Sequence, residues 1–282
     1  MSDYEVIVVD DGSTDDGGLL VSARAATDSR IRLIRQENSG EGAARNRGLR
    51  EATSEWIGLL DADDEWRPGF LETTLAQASS SGSPSAVFTN IVDGSSQRTL
   101  LQTSGGGVVP DYFAFVLANG AGMTSSSTLA RRAALLECGA FKEGVPAGAD
   151  LDAWARLAWS GPVAYIPEAL ALYYPYLPGS ATTNARKGDR IFPATVLSYR
   201  EWSLQSKIPS SLRRSSARMA EHLVLDHVAA LINSGQRERA WAVLSEAGWT
   251  PHWRIARRLS LLMRLALPSS IWLRMRTQMG RD

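Results

Sequence analysis

Along roughly the first 180 residues, apolar positions come in short blocks separated by polar segments with helical spacing. The blocks at residues 6–9, 31–34, 56–60 and 86–92 are each followed, at once or within a few residues, by Asp or Asn. Runs this short and this rich in Val, Ile and Leu read as strands rather than helices. Apolar residues on both sides of a strand indicate a sheet covered on both faces. Between the blocks, residues 18–26 and 43–53 predict helices, and Pro68 fits the first turn of a third that runs to about residue 80. The alternation predicts an α/β fold with a mixed, mainly parallel sheet and right-handed crossovers. Further on, residues 111–118 and 131–138 predict helices and 125–130 a strand, while Gly105-Gly106-Gly107 marks a loop. A helix opens near Asp150 and stops at Gly161-Pro162, and late strands follow at 163–166 and 169–174. From residue 191 the texture turns helical, with a pair at 219–232 and 237–247 separated by Gly235. We divide the chain at these points into an α/β region, 1–185, and a helical region, 190–282.

Charge supports that division. The 30 basic and 30 acidic residues cancel over the 282-residue chain, which argues against a generally nucleic-acid-binding surface. The cancellation hides an asymmetry of 15 basic and 24 acidic residues in 1–189, against 15 and 6 in 190–282. Cys138 is the sole cysteine, so an intrachain disulfide and a Cys-based zinc cluster are excluded. The start, Met1-Ser2-Asp3-Tyr4-Glu5, has no signal-peptide pattern, and no run reaches the roughly 18 apolar residues of a spanning helix. A cytoplasmic location is expected, with the inner face of a membrane as a variant of it. The tail at 250–282 mixes apolar residues with arginines. It reads either as an amphipathic membrane-surface helix pair or as a helical cap whose apolar stripe packs on the α/β region.

The chemistry concentrates where strands end. The run at 56–60 stops at Asp61-Ala62-Asp63-Asp64. Ligands of open α/β sheets collect beyond the carboxyl ends of the strands. Carboxylates so close repel one another, and water, an Arg or Lys, or a divalent cation relieves this. Hard oxygen donors suit Mg2+ or Mn2+, which commonly bridge one or two carboxylates to phosphate oxygens. A solvated acidic turn is the other reading of these residues. The strand at 6–9 likewise ends in Asp10-Asp11-Gly12-Ser13-Thr14-Asp15, which also suits a helix cap. In the helix at 150, Asp150 and Trp154 are spaced to share a face, a carboxylate base beside an aromatic sugar platform.

Four segments form one pattern: Tyr4 to Asp15, Asn38-Ser39-Gly40-Glu41-Gly42-Ala43-Ala44-Arg45-Asn46-Arg47-Gly48, Leu60 to Asp64, and Gly148 to Trp154. Together they resemble family 2 glycosyltransferases of the GT-A fold, over roughly residues 4–180. The resemblance implies a nucleotide-diphosphate sugar as donor, a divalent cation, an acceptor hydroxyl on a glycan or lipid, and inversion at the anomeric carbon. It implies Asp11 as the base-contacting aspartate and Arg45 as a residue near the nucleotide and diphosphate. Asp61 and Asp63 match the DxD carboxylates that serve ribose and metal, and Asp150 matches the catalytic base.

The chain also departs from that pattern. The family usually opens one strand and helix earlier, so the chain is expected to be a fragment, a sequence with a mis-assigned start, or a catalytically impaired sugar-nucleotide-binding or scaffold relative, the last standing as the alternative reading. Ala149 stands where the family often has Glu, and Tyr174-Pro175 where it often has Tyr-Arg. A Gln-x-x-Arg-Trp segment is not seen, which favours transfer of one sugar over processive synthesis. A nucleotidyltransferase would share the carboxylate logic but would carry a Gly-rich basic loop near its start, which this chain lacks.

Overall fold

The computed structural model describes residues 3–145, 148–174, 194–246, 260–262 and 265. The elements run β1 (Val6–Asp11), α1 (Gly17–Ala25), β2 (Ile31–Gln36), α2 (Glu41–Glu51), β3 (Trp56–Gly58), β4 (Glu65–Trp66) and α3 (Phe70–Ser80). Then come β5 (Ala86–Asp93), β6 (Gly107–Val109), α4 (Tyr112–Asn119), β7 (Thr128–Arg131), α5 (Arg132–Glu137), α6 (Ala149–Ser160) and β8 (Val163–Tyr173). The helical region contributes α7 (Ala194–Leu204), α8 (Arg213–Asn233) and α9 (Arg237–Glu246).

β5 is buried from Ala86 to Val92 because both of its faces are covered. Side chains alternate along a strand. Val87 therefore meets Ala78 of α3 and Ala164 on one side. Ala86 and Phe88 meet the opposite layer, built from Phe113 of α4, Trp154 and Leu157 of α6, and Tyr165. The longest registers are parallel, β1 with β2 and β5 with β8, while the antiparallel pairings of β7, β6 and β4 are short. The α/β class with a mixed sheet is therefore as expected.

Several expected boundaries shift for identifiable reasons. The two late strands are one, β8, with irregular register against Thr89–Ile91 where Pro167 interrupts the ladder. The strand ending at residue 60 leaves its ladder after Gly58. Pro68 precedes the helix, because Gly69 with φ 92° forms the turn into α3. The glycine loop is partly ordered, since Gly107 starts β6 on the edge of β8. The strand expected at 125–130 starts only at Thr128, because Ser125 to Ser127 form a buried turn.

The sheet is divided. β1 and β2 form one piece, and β3-β7-β5-β8-β4 another with β6 beside β8. β1 and β3 each lack a second strand neighbour among the described residues. α2 joins the pieces: its Gly48 lies against Val9 and Thr53 beyond its end donates from both N and Oγ1 to Glu5, each at 2.9 Å, while Arg132, which follows β7, donates to the Leu49 carbonyl at 3.1 Å.

α2 is also pinned to the loop after α5. Asn46 Oδ1 accepts from Phe141 N at 2.9 Å, and its Nδ2 donates to Phe141 O and to Glu143 at 2.8 Å. A Cβ on Gly42 would collide with the Lys142 carbonyl, so only glycine permits this approach. Arg156 of α6 holds the same loop from below through the carbonyls of Cys138 and Ala140, and pairs with fully buried Asp152 at 2.8 Å.

The helical region has its own apolar cluster around Val224, Leu225, Val228 and Leu231, joined by Leu261 and Leu265. It abuts the α/β layer where Trp159 meets Tyr199 and Trp202. Most of the 250–282 tail lies outside the described residues, and with it the expected membrane contact. Among the described residues, no helix is long and apolar enough to cross a membrane.

Replacing Asn46 by Ala strands a buried backbone N–H and C=O. The expected loss is about 2–3 kcal/mol in urea unfolding with an unchanged m-value; an effect under about 0.5 kcal/mol would mean that the clamp is dispensable.

Candidate functional site

Carboxylates and one cation meet where β1, β3 and the start of α6 point. α2 begins at Gly40 with φ 88° and carries Glu41 in its first turn, where the helix dipole favours a negative charge. Arg45 sits one turn later on the same face. Its Nη2 contacts Glu41 Oε1 and lies 2.8 Å from Asp61 Oδ1. The side chain is only 8% exposed, and its guanidinium lies over the Phe141 ring, 5.7 Å from the centroid. Its Nη1 is buried with no hydrogen-bond partner. Such an unused donor is costly unless something else completes it.

Asp150 opens α6 in the same field. Burial pushes its carboxyl above the ordinary carboxylate range, attraction to Arg45 pulls it down, and repulsion from Asp61 adds to the rise. Glu41 is raised chiefly by burial and is opposed by Arg45. Arg45, Asp61 and Asp150, three residues expected from sequence, are thus brought together, and Glu41 is a fourth member that the sequence reading passed over. The i,i+4 spacing of Glu41 and Arg45 was the available signal.

The acidic turn does not act as one cluster. Among the described residues, no group of three or more His, Cys, Asp or Glu converges as for a metal ion. Asp64 turns inward, 9% exposed, and accepts from Tyr174 N at 3.2 Å and from the Ser126 side chain. Ser126 also accepts from Asp61 N at 3.1 Å, and its carbonyl takes the Trp66 indole N–H at 2.7 Å. Ser126 therefore sets the direction of the turn, a role no local motif announces. Asp63 is exposed, and Asp61 is half-covered. Two outward carboxylates fit a cation that fills its remaining positions with water and phosphate oxygens.

Asp11 forms the wall on the β1 side. It accepts from Gln36 Nε2 at 2.7 Å, Ser39 N at 2.9 Å and Gly40 N at 2.8 Å, which fixes the entry to α2. A carboxylate has about four acceptor sites, so one remains for a ligand donor.

Trp154 is a correction. Its residue is 0% exposed and its ring packs edge-to-face on Phe141 at 5.7 Å. A sugar platform needs an open ring face. Helical spacing placed Trp154 beside Asp150, but the rotation of α6 turns it into the core, under the loop that supports Arg45.

A cavity of about 270 Å³ lies elsewhere, lined by Val109, Tyr112, Trp159, Pro162 and Leu212. It adjoins the C-terminal end of α6 at Ala158 to Ser160, whereas Asp150 opens that helix, about 12–15 Å away along its axis at 1.5 Å per residue.

Residues 1–139 match the family described as Glycosyl transferase family 2. Succinoglycan biosynthesis protein ExoU of Rhizobium meliloti is 49% identical over 76 residues, 26% of this chain and 22% of that protein. Glycosyltransferase GlyG of Streptococcus pneumoniae serotype 4 is 42% identical over 74 residues, 26% of this chain and 25% of that protein. The chain thus matches a quarter or less of the length of these relatives. Among solved structures, S. aureus TarS 1-349 in complex with UDP-GlcNAc is similar with a TM-score of 0.68 at 15% identity, covering 99% of this chain and 84% of that one. Mannosyltransferase PcManGT from Pyrobaculum calidifontis, in complex with GDP-Man and Mn2+, gives 0.56 at 21% identity, covering 97% and 74%. At these identities the likeness concerns the fold, which is GT-A.

Burial pushes the Asp64 carboxyl up to about 6, against the opposing hydrogen bonds of Ser126 and Tyr174. A carboxyl raised in the folded state adds stability that is complete at low pH and lost as pH rises through the folded value. In EDTA, Asp64→Asn should therefore gain on the wild type as pH goes from 4 to 7.5, by about 1–3 kcal/mol. Urea midpoints at the two pH values measure it, and a constant difference would show that Asp64 does not titrate in this window.

Proposed function

Because residues 1–139 match the Glycosyl transferase family 2 model and the described residues take the GT-A fold, we propose that this chain transfers one sugar from a nucleotide-diphosphate donor to an acceptor hydroxyl, inverting the anomeric carbon. The observation that carries the reading is the Arg45–Asp61 ion pair, formed between two separate segments, with Asp150 at the opening of α6 within its electrostatic reach. Asp11 and the backbone it fixes face the base, with one acceptor site left for a base N–H. Asp61 and Asp63 are the residues that would hold a divalent cation, Mg2+ or Mn2+. When bound, that cation supplies positive charge to the departing diphosphate oxygens. Arg45 adds a second, preorganised positive charge there.

Asp150 is the base. Its carboxylate takes the proton of the acceptor hydroxyl as that oxygen bonds to the anomeric carbon and the carbon–diphosphate bond breaks. Burial raises its proton affinity, which suits a base, while attraction to Arg45 opposes that rise and favours the carboxylate. No covalent enzyme intermediate is needed. The acceptor is a glycan or lipid-linked hydroxyl at the cytoplasmic side, and the basic 250–282 tail is the segment that would meet a membrane surface.

A second reading is a relative that binds sugar-nucleotides without turnover. The divided sheet favours it, since among the described residues β1 and β3 each lack a strand on one edge, and they carry Asp11 and the approach to Asp61. Transfer assays separate the two.

Calorimetry with UDP and GDP, with and without MnCl2, is the first test. Asp63→Ala should remove the part of the affinity that depends on Mn2+; unchanged affinity would reject its assignment. Asp150→Asn should leave nucleotide affinity within about twofold yet slow transfer by about 10²- to 10⁴-fold. Normal turnover of that variant would exclude it as the base.

A further inference from the structure

Glu41 is the member of the site that the proposed reaction does not use. One nitrogen of Arg45, Nη2, is shared between Glu41 Oε1 and Asp61 Oδ1, while Nη1 is buried without a partner. The guanidinium is therefore contacted by two carboxylates, with Asp150 a third negative charge in its field, but is incompletely hydrogen-bonded. The missing acceptor is one that a ligand oxygen would provide, and the 8% exposure of Arg45 leaves little room for water to substitute.

Asp61 has two claims on it. Its Oδ1 lies 2.8 Å from a guanidinium nitrogen. A divalent cation binds carboxylate oxygen at about 2.0–2.2 Å, so sharing that oxygen would set two positive centres against each other. Loading a cation on Asp61 therefore weakens its bond to Arg45. A buried guanidinium stripped of its counter-charge is strongly disfavoured. Glu41 prevents this: it is already in contact with Nη2 from the preceding turn of the same helix, so it need not move.

We infer that Glu41 is a positioning residue that retains Arg45 when Asp61 passes to a cation, leaving Arg45 Nη1 for a diphosphate oxygen. Metal loading and diphosphate capture are then coupled through one guanidinium. The inference rests on the reading that Asp61 and Asp63 serve a divalent cation. Its rival is an ordinary half-exposed i,i+4 ion pair, the Glu41 side chain being 42% exposed, and such pairs contribute little.

The test is a double-mutant cycle on the full chain. MnCl2 alone is titrated into wild type, Glu41→Gln, Arg45→Met and the double variant, with free Mn2+ read by its electron paramagnetic resonance signal. UDP and GDP are then titrated at saturating MnCl2 by calorimetry. Arg45→Met removes the competitor, so Mn2+ should bind several-fold tighter while nucleotide affinity falls. Glu41→Gln should weaken Mn2+ binding at least about threefold, and by less than about twofold once Arg45 is gone. Equal Glu41→Gln factors in both backgrounds would mean that Glu41 is merely a nearby negative charge, and the inference fails. It fails equally if Arg45→Met weakens Mn2+ binding. Thermal midpoints check folding, and Arg45→Gln replaces Arg45→Met with the same expectations if the latter unfolds. A wild type that binds neither UDP nor GDP with Mn2+ overturns the functional reading itself, whereas binding with an additive cycle overturns only the role of Glu41.

Discussion

A guanidinium that is nearly out of water needs negative charge around it, and the rest of this site is arranged to provide it for Arg45. Glu41 comes from the same helix, Asp61 from the end of a strand, and Asp150 from the opening of another helix. No two of the three carboxylates share an element. Their separation would fail if α2 slid by a fraction of a turn. The structure guards that register with Asn46, whose amide grips Phe141 from both sides, and with Gly42, which lets the chain pass against Lys142. The neighbouring residues 45 and 46 divide the work, one facing the site and the other fixing the helix.

The acidic turn obeys the same logic with the roles reversed. Three carboxylates pointing one way would repel. The fold disperses them: Asp61 goes to Arg45, Asp63 to solvent, and Asp64 inward to Ser126 and the Tyr174 backbone. The inward carboxyl carries an elevated proton affinity as the cost of its burial. In return, hydrogen bonds with Ser126 and the Tyr174 backbone hold the turn and fix the direction of its outward carboxylates. Preorganisation of this kind lets charged groups act without rearranging during the reaction.

The divided sheet sets the site in its frame. Asp11 ends a strand on one piece, Asp61 follows a strand on the other, and α2 spans the gap between them. Electrostatic contact between Arg45 and Asp61 is therefore also a tie across the sheet. Trp154, Phe141 and Arg156 lie beneath it, where aromatic packing and a buried ion pair support the loop that α2 rests upon.

The amino-acid sequence by itself determined the strands, the helices and the residues that face their ends. The positions of most strands and helices and of the acidic strand ends follow from local pattern, because β-branched runs, glycine turns and acidic termini act over a few residues; the order of strands in the divided sheet and the short β4 and β6 do not. It placed Asp11, Arg45, Asp61, Asp63 and Asp150 on the right elements. Only the tertiary structure decided which side chains meet. Ser126 is 65 residues from Asp61 and Phe141 is 95 from Asn46, distances over which no periodicity carries information. Tertiary packing likewise turned Trp154 inward, since the spacing that aligns it with Asp150 fixes a helix face but not the direction that face takes against its neighbours.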